Sequence, residues 1–244
     1  MSSRENFSFP RLSMNEWAPG LRDLDMPEWG NVDGTLSGRV SKMNLDGVVD
    51  DYISEDDTVV EVGSSTGYTT TEVANISEAE VVGVDVPEAF SGGTVGNRYG
   101  PGPEPSYVSG LAPELPFKDD SLDGVVAFNS VTYLARNIGS LASEMHEDIS
   151  DSRSQRLGEL YSQGIVLDFL EEFDRITGED GYVLLGEQSD SSYLVLEKDG
   201  SEWYASEHGS FPEHEGDSLH MRYSPWIQDE NVKQSYEPEV KPSL

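Results

Sequence analysis

The stretch TVVEVGSSTGYTTTEVANISEAEVVGVDV, residues 58–86, decides the fold. It opens on an apolar run, Thr58 to Val62, entered through the polar turn Ser54-Glu55-Asp56-Asp57. A short run rich in β-branched residues and bounded by turn formers reads as a buried strand. A Gly/Ser turn follows, then a helix over Thr66 to Ile76, then a second strand from Glu80 to Asp85. Strand, glycine-rich turn, helix and strand make a βαβ unit, and such a unit demands a parallel sheet.

Working outward, Leu45, Val48, Val49 and Tyr52 carry the spacing of an amphipathic helix within Ser37 to Ile53. Residues 91–105 (SGGTVGNRYGPGPEP) are too dense in Gly and Pro for a regular helix and form a loop. A short strand is expected at Tyr107 and Val108, and a buried one over Leu122 to Asn129. Residues 136–156 are polar and read as an excursion over the substrate side. Val166, Phe169, Leu170, Phe173 and Ile176 mark a second amphipathic helix that ends at Gly178. The turn Glu179-Asp180-Gly181 then leads into a strand from Tyr182 to Leu185. The runs YLVLE and EWYA flank Lys198-Asp199-Gly200-Ser201, which signals a hairpin. The expectation is an α/β fold, a doubly wound and mostly parallel sheet with helices on both faces and a C-terminal antiparallel hairpin. Residues 1–36 would form an N-terminal cover, 37–206 the domain, and 207–244 a polar tail.

Charge narrows the partners. Forty-seven acidic residues face fifteen basic ones, for a formal net charge of -32. Such self-repulsion weakens a compact state in ordinary buffer, but in molar salt the Debye length falls to about 3 Å and screens it. The acidity is spread along the chain and not gathered in a block, and the composition resembles that of haloarchaeal proteins. Nucleic-acid binders carry basic patches, and none is visible, which argues against nucleic acid as substrate. With no Cys there are no disulfides, thiolate metal sites or cysteine nucleophiles. No apolar run reaches the ~20 residues of a membrane span, and MSSRENFSFPRLS lacks the core of a signal peptide, so a cytoplasmic protein without membrane contact is expected.

The turn Glu61-Val62-Gly63-Ser64-Ser65-Thr66-Gly67 closes one strand and opens a helix. Glycine is needed where backbone must turn tightly and approach a ligand with no Cβ in the way. Asp85 closes the next strand, 22 positions after Gly63. A carboxylate about 20 residues past such a loop is placed to accept hydrogen bonds from ribose hydroxyls. A dinucleotide fingerprint would have glycine where Ser65 and Tyr68 stand, and both departures hurt pyrophosphate binding. Glu61 adds negative charge beside the loop, which suits a cationic ligand.

On these residues the chain resembles the class I S-adenosylmethionine-dependent methyltransferases. VVEVGSSTGYTT is similar to their first motif and VVGVDV to their second. LAPELPFKDDSLDGVVAFNSVTYL resembles the LPF-x-D-x-S-F-D-x-V stretch of the small type 11 group, and FDRITGEDGYVLL resembles the family's later helix–turn–strand element. The resemblance covers roughly Asp57 to Leu185, in the family order. It implies a Rossmann-like fold, S-adenosyl-L-methionine as cofactor and methyl transfer as the activity. It further implies that Gly63, Ser64, Ser65, Thr66 and Gly67 form the turn beneath the methionine part, with Glu61 toward its ammonium. Asp85 would hold the ribose, Val86, Leu111 and Ala112 would border the adenine, and Asn129 would lie near the methyl group. The chain departs from the family at Leu111, where many relatives are acidic, in the Gly/Pro loop, and in passing from the fifth strand to a hairpin without a helix.

Other readings compete. Gly63-Ser64-Ser65-Thr66-Gly67 also satisfies the G-x-S-x-G elbow of α/β-hydrolases, with His208, His214 and His220 downstream, but little strand signal precedes Thr58 and no HGGG motif is present. The three His are spaced by six, which fits no compact metal-ligand pattern, so no metal is expected. Asn129-Ser130-Val131-Thr132 lacks the Pro-Pro-aromatic run of amino-nucleobase methyltransferases. A small molecule is therefore the default acceptor and protein the second. The acceptor, the general base and the oligomeric state cannot be read from the sequence; His146, Tyr133 and Glu187 are loose candidates for the base. The rival to an active enzyme is a methyltransferase-fold protein that has kept the architecture for interaction or regulation.

Overall fold

The computed structural model describes residues 46–90, 102–112, 114–131, 134, 151–187, 192–200 and 202–209. The N-terminal cover, most of the Gly/Pro loop, residues 135–150 and the tail beyond Gly209 lie outside them. In chain order the elements are α1 (Asp46–Tyr52), β1 (Thr58–Val62), α2 (Tyr68–Ser77), β2 (Glu80–Asp85), a 3-10 turn (Pro87–Phe90), β3 (Ser106–Ser109), β4 (Leu122–Phe128), α3 (Asp151–Ile176), β5 (Thr177–Glu187), β6 (Ser192–Asp199) and β7 (Glu202–Gly209).

Among the described residues seven strands form one sheet in the order β3-β2-β1-β4-β5-β6-β7. β3, β2, β1, β4 and β5 run parallel, and β6 and β7 are antiparallel additions. Strand alternation sorts the core onto two faces. Val59, Val81, Val126, Leu184 and Val195 pack with Val49 of α1, Ile53 just after it, and Val73 and Ala74 of α2. Val60, Val62, Val84, Val125, Val183, Leu194 and Leu196 pack with Ile165, Phe169, Leu170 and Phe173 of α3. Helices thus cover both faces, and the fold is the doubly wound α/β arrangement expected. Phe169 and Phe173 meet edge to face, with ring centroids 5.9 Å apart; such a pair contributes about 0.5–1.5 kcal/mol beyond its buried area.

α2 starts two residues later than expected, at Tyr68, and the bounds of α3 differ at both ends. α3 begins at Asp151, so Asp151 to Arg156 are helix and only residues before them can form the excursion. Arg153, Gln155 and Arg156 are good helix formers, and the six residues from Asp151 to Arg156 include no apolar one to mark the helix in the sequence. At its other end α3 stops at Ile176 and β5 begins at once. The turn at Glu179-Asp180-Gly181 survives as a bulge, since pairing with β4 jumps from Thr177 opposite Leu122 to Tyr182 opposite Gly124. Lys198 stops the helix from across the sheet: its ammonium donates to the Asp174 and Thr177 carbonyls, both at 2.9 Å, and satisfies carbonyls that a helix end leaves open. The hairpin is as read, with Asp199 opposite Glu202 and Gly200 at φ +63° in the turn.

Candidate functional site

β1 ends at Val62, and the chain turns at Gly63, whose φ is +82°. The N–H groups of Gly63 and Ser64 both donate to the Val84 carbonyl, at 2.8 and 3.1 Å, which ties the loop to β2. Ser65 is also left-handed, at φ +51°, a costly state for a residue with a Cβ. Asp85 offsets that cost. Its Oδ2 accepts the Ser65 N–H at 2.7 Å and its Oδ1 accepts the Val86 N–H at 2.7 Å. Burial pushes the Asp85 carboxyl up, and the two N–H bonds pull it part of the way back. A carboxylate offers about four acceptor directions, so two remain for further donors.

Gly67, at φ +87°, opens α2 without a side-chain cap. A Cβ there would lie 2.1 Å from the Tyr107 hydroxyl, which donates to the Gly67 carbonyl at 3.3 Å. Burial first, and the Glu61 charge after it, push the Tyr107 phenol up. Glu61 is buried and accepts a hydrogen bond from the Thr70 hydroxyl on α2. It shares strand parity with Val59, so it faces the α2 side of the sheet, opposite to Val62.

A small cavity lies along the carboxyl edge of the parallel strands, on the α3 side. Of the residues expected to bind cofactor, Gly63, Asp85, Val86, Leu111 and Ala112 line it together. Glu61, Ser64, Ser65, Thr66, Gly67 and Asn129 do not. Ser65 touches the cavity's carboxylate through its N–H, and Asn129 ends β4 at φ +63° with its N–H on the Gly186 carbonyl at 2.7 Å. Leu115, Phe169 and Ser130 also line the cavity, together with Val62, Val84, Gly110 and Leu134, and were not singled out from sequence as ligand contacts. Leu115 lay in the LPF motif and Phe169 in the apolar stripe of α3, but nothing in the pattern said that either faced a ligand. The cavity encloses about 40 Å³, room for a few waters. Its place is the switch point of the sheet, where the chain leaves β3 on one side and resumes at β4 on the other, the usual ligand crevice of open α/β sheets.

One ion pair fixes the far wall. Glu172 of α3 is buried and accepts the Leu115 N–H at 2.6 Å. Arg175 grips Glu172 through Nε and Nη2, at 2.8 and 2.7 Å, and donates to the Phe117 and Leu115 carbonyls and to Asp119. Glu172, and then Asp119, raise the Arg175 guanidinium above its ordinary value. The segment that brings Leu111, Ala112 and Leu115 to the cavity is thereby held to the helix that brings Phe169.

Rival chemistries find less support. His208 lies on β7, four strands from the β1 loop that carries Ser65, roughly 19 Å at the usual strand spacing. His146, His214, His220 and Tyr133 lie outside the described residues. Among the described residues no group of His, Asp or Glu is arranged to hold a metal ion, and no helix is long and apolar enough to cross a membrane.

Residues 59–149 match the model of a family described as a methyltransferase domain. A search of curated protein sequences gives no match. Among solved structures the chain is similar to a chain of the complex between the Haloferax volcanii Trm112 methyltransferase activator and a methyltransferase, at 20% identity over 63% of this chain and 56% of that one, with a TM-score of 0.38. It is similar to a SAM-dependent methyltransferase from Methanosarcina mazei at 19% identity over 57% and 55% of the two chains, with a TM-score of 0.38. It is also similar to phosphoethanolamine N-methyltransferase 1 of Haemonchus contortus, solved with phosphoethanolamine and S-adenosylhomocysteine, at 22% identity over 60% of this chain and 25% of that one, with a TM-score of 0.38. The chain spans little more than half the length of the first two.

Proposed function

With a methyltransferase domain matched across the loop and the cavity, we propose that this protein uses S-adenosyl-L-methionine to methylate a small molecule. The observation that carries the reading is Asp85. It is a buried carboxylate at the end of β2, fixed by two backbone N–H groups, with acceptor capacity left over on the cavity side. Two ribose hydroxyls would use that capacity. Among the described lining residues it is the one charged group, and none of them is a Lys or Arg that could hold a pyrophosphate. The site suits an adenosyl group joined to a positive centre.

When bound, the cofactor supplies an electrophilic sulfonium methyl that an acceptor attacks in line. The chain's own work is alignment and exclusion of water. Val86, Leu111 and Ala112 offer apolar surface to the adenine, and bare Gly63 lets the ligand approach the backbone. Glu61 sits behind the loop, where its charge favours a cation through the sheet without touching it. No described lining residue is placed as a general base, and the acceptor must supply its own nucleophile or use groups outside the described residues. This leaves a second reading, a protein that binds cofactor without turning it over. A panel of small acceptors with radiolabelled S-adenosylmethionine, in molar KCl, separates them: transfer to one member establishes the enzyme, and binding without transfer to any favours the silent relative. The cofactor site has its own test, since Asp85→Ala should abolish binding of S-adenosylhomocysteine. A variant that binds as well as wild type would remove the ribose assignment.

A further inference from the structure

Two glycines make room for one tyrosine. Tyr107 of β3 stands in register with Gly83 of β2, and Gly83 with Glu61 of β1, so the three form a row on the α2 face of the sheet. Neighbouring strands lie about 4.8 Å apart, and a phenol rooted on β3 crosses β2 only where β2 carries no side chain. A Cβ on Gly83 would stand 2.7 Å from Tyr107 Cδ1 and 2.8 Å from Cε1. Beyond Gly83 the hydroxyl reaches the loop after β1 and donates to the Gly67 carbonyl at 3.3 Å. That carbonyl also accepts the Thr71 N–H of α2, at 3.0 Å, while the Thr71 hydroxyl bonds to the phenol oxygen. Phe90 meets the ring edge to face, with centroids 5.9 Å apart. Gly67 does not line the cavity, so approach of a ligand does not explain why it is bare. Its left-handed backbone and the phenol lying against it do.

Tyr107 does not line the cavity either, yet it joins two segments that do. β3 runs on into Gly110, Leu111 and Ala112, and the loop that the phenol grips begins at Gly63. That loop needs holding, because Gly63, Ser65 and Gly67 are all left-handed and such backbone is costly at Ser65. Asp85 fixes its middle through the Ser65 N–H, and the phenol fixes its last residue. A phenylalanine would fill the space over Gly83 equally well, so packing does not call for the hydroxyl. We infer that Tyr107 is a positioning residue for the cofactor: its hydroxyl, on the Gly67 carbonyl, keeps the loop from Gly63 to Gly67 in the shape that the ligand meets. The inference rests on the adenosyl reading above and adds a residue that acts on the loop from the α2 side, without touching the ligand.

The experiment compares wild type with Tyr107→Phe, which keeps the ring and removes the hydroxyl. Calorimetric titration with S-adenosylhomocysteine in molar KCl gives affinity, and amide hydrogen exchange gives the local freedom of residues 63–71 against the β6–β7 hairpin as reference. The variant should bind about three- to tenfold more weakly, the factor that corresponds to one neutral hydrogen bond. Without ligand its amides at 63–71 should exchange faster than those of wild type, the hairpin should be unchanged, and saturating S-adenosylhomocysteine should shrink the difference. Unchanged affinity would overturn the inference, since the hydroxyl would then serve stability alone. So would faster exchange spread evenly over loop and hairpin, which marks a general loss of stability. Wild type carries a test that does not depend on how the variant folds: the ligand should slow exchange at 63–71, and no slowing in protein that binds it would also overturn the inference. If folded wild type binds no S-adenosylhomocysteine, the adenosyl reading itself has failed and this role falls with it.

Discussion

Glu172→Ala should be among the most damaging single changes outside the cavity. The side chain is 7% exposed and accepts three hydrogen bonds, one from the Leu115 backbone and two from Arg175. Truncation leaves the Leu115 N–H buried without a partner, which costs about 1–3 kcal/mol. It also strips Arg175 of its inner partner. Breaking a fully buried pair costs about 3–5 kcal/mol, but Arg175 is 33% exposed and keeps Asp119 and two carbonyls, so that figure must be discounted. The net expectation is a loss of about 2–3 kcal/mol, or roughly 4–12 °C in Tm for a domain of this size. Circular dichroism melts of wild type, Glu172→Ala, Arg175→Ala and the double variant in molar KCl measure it. Arg175→Ala should lose less than Glu172→Ala, and the cycle should show coupling above about 0.5 kcal/mol. A Glu172→Ala loss below about 1 kcal/mol, or additive effects, would refute the reasoning. It would mean that apolar packing alone holds residues 115–119 to α3.

Gly63→Ala should lose at least about 1–2 kcal/mol from its left-handed backbone alone, and more from contact with Ser130 Cβ at 2.3 Å. Pairing it with Ser130→Gly should return the second part and not the first, as denaturant midpoints would show; no recovery would mean the two residues are not in contact. Asp85 gives a pH signature. Its folded pKa lies above the ordinary 3.8, so the native state holds its proton at a pH where the unfolded chain has released it. Its contribution to stability is therefore greatest below that range and declines as pH rises through it. Ligand affinity has the opposite sense if hydroxyls donate to the carboxylate, and should fall as pH drops toward the raised pKa. Difference titrations of wild type against Asp85→Asn isolate both effects from the other acidic groups, and affinity independent of pH down to the ordinary carboxylate range would contradict the assignment.

Much of the fold was legible because the signals were local. The run from Thr58 to Asp85 alternates an apolar strand, a glycine turn and a helix within one unit, and the structure keeps the expected strand bounds. The hairpin at Gly200 was readable for the same reason. What stayed hidden depended on tertiary context. The first six residues of α3, Asp151 to Arg156, are all polar, so no apolar stripe marks their helicity. The bulge at 178–181 keeps a turn sequence inside a strand because pairing resumes beyond it. In the site, residue type and spacing picked out Gly63 and Asp85, the family resemblance added Val86, Leu111 and Ala112, and these five line one cavity. Spacing could not give the face on which Glu61 points, since parity has meaning only once the sheet's two sides are known. Nor could it find Ser130 or the Glu172–Arg175 pair, whose partners lie 56 to 60 residues away or across the cavity.

The central claim is that an adenosyl ligand lies across the strand ends with its sugar on Asp85. Calorimetric titration of the intact chain with S-adenosylhomocysteine in molar KCl, wild type beside Asp85→Ala, tests it directly. The account predicts saturable heat at one site in wild type and none in the variant. Absence of heat and of thermal stabilisation in folded wild type, or identical isotherms for the two proteins, would contradict it.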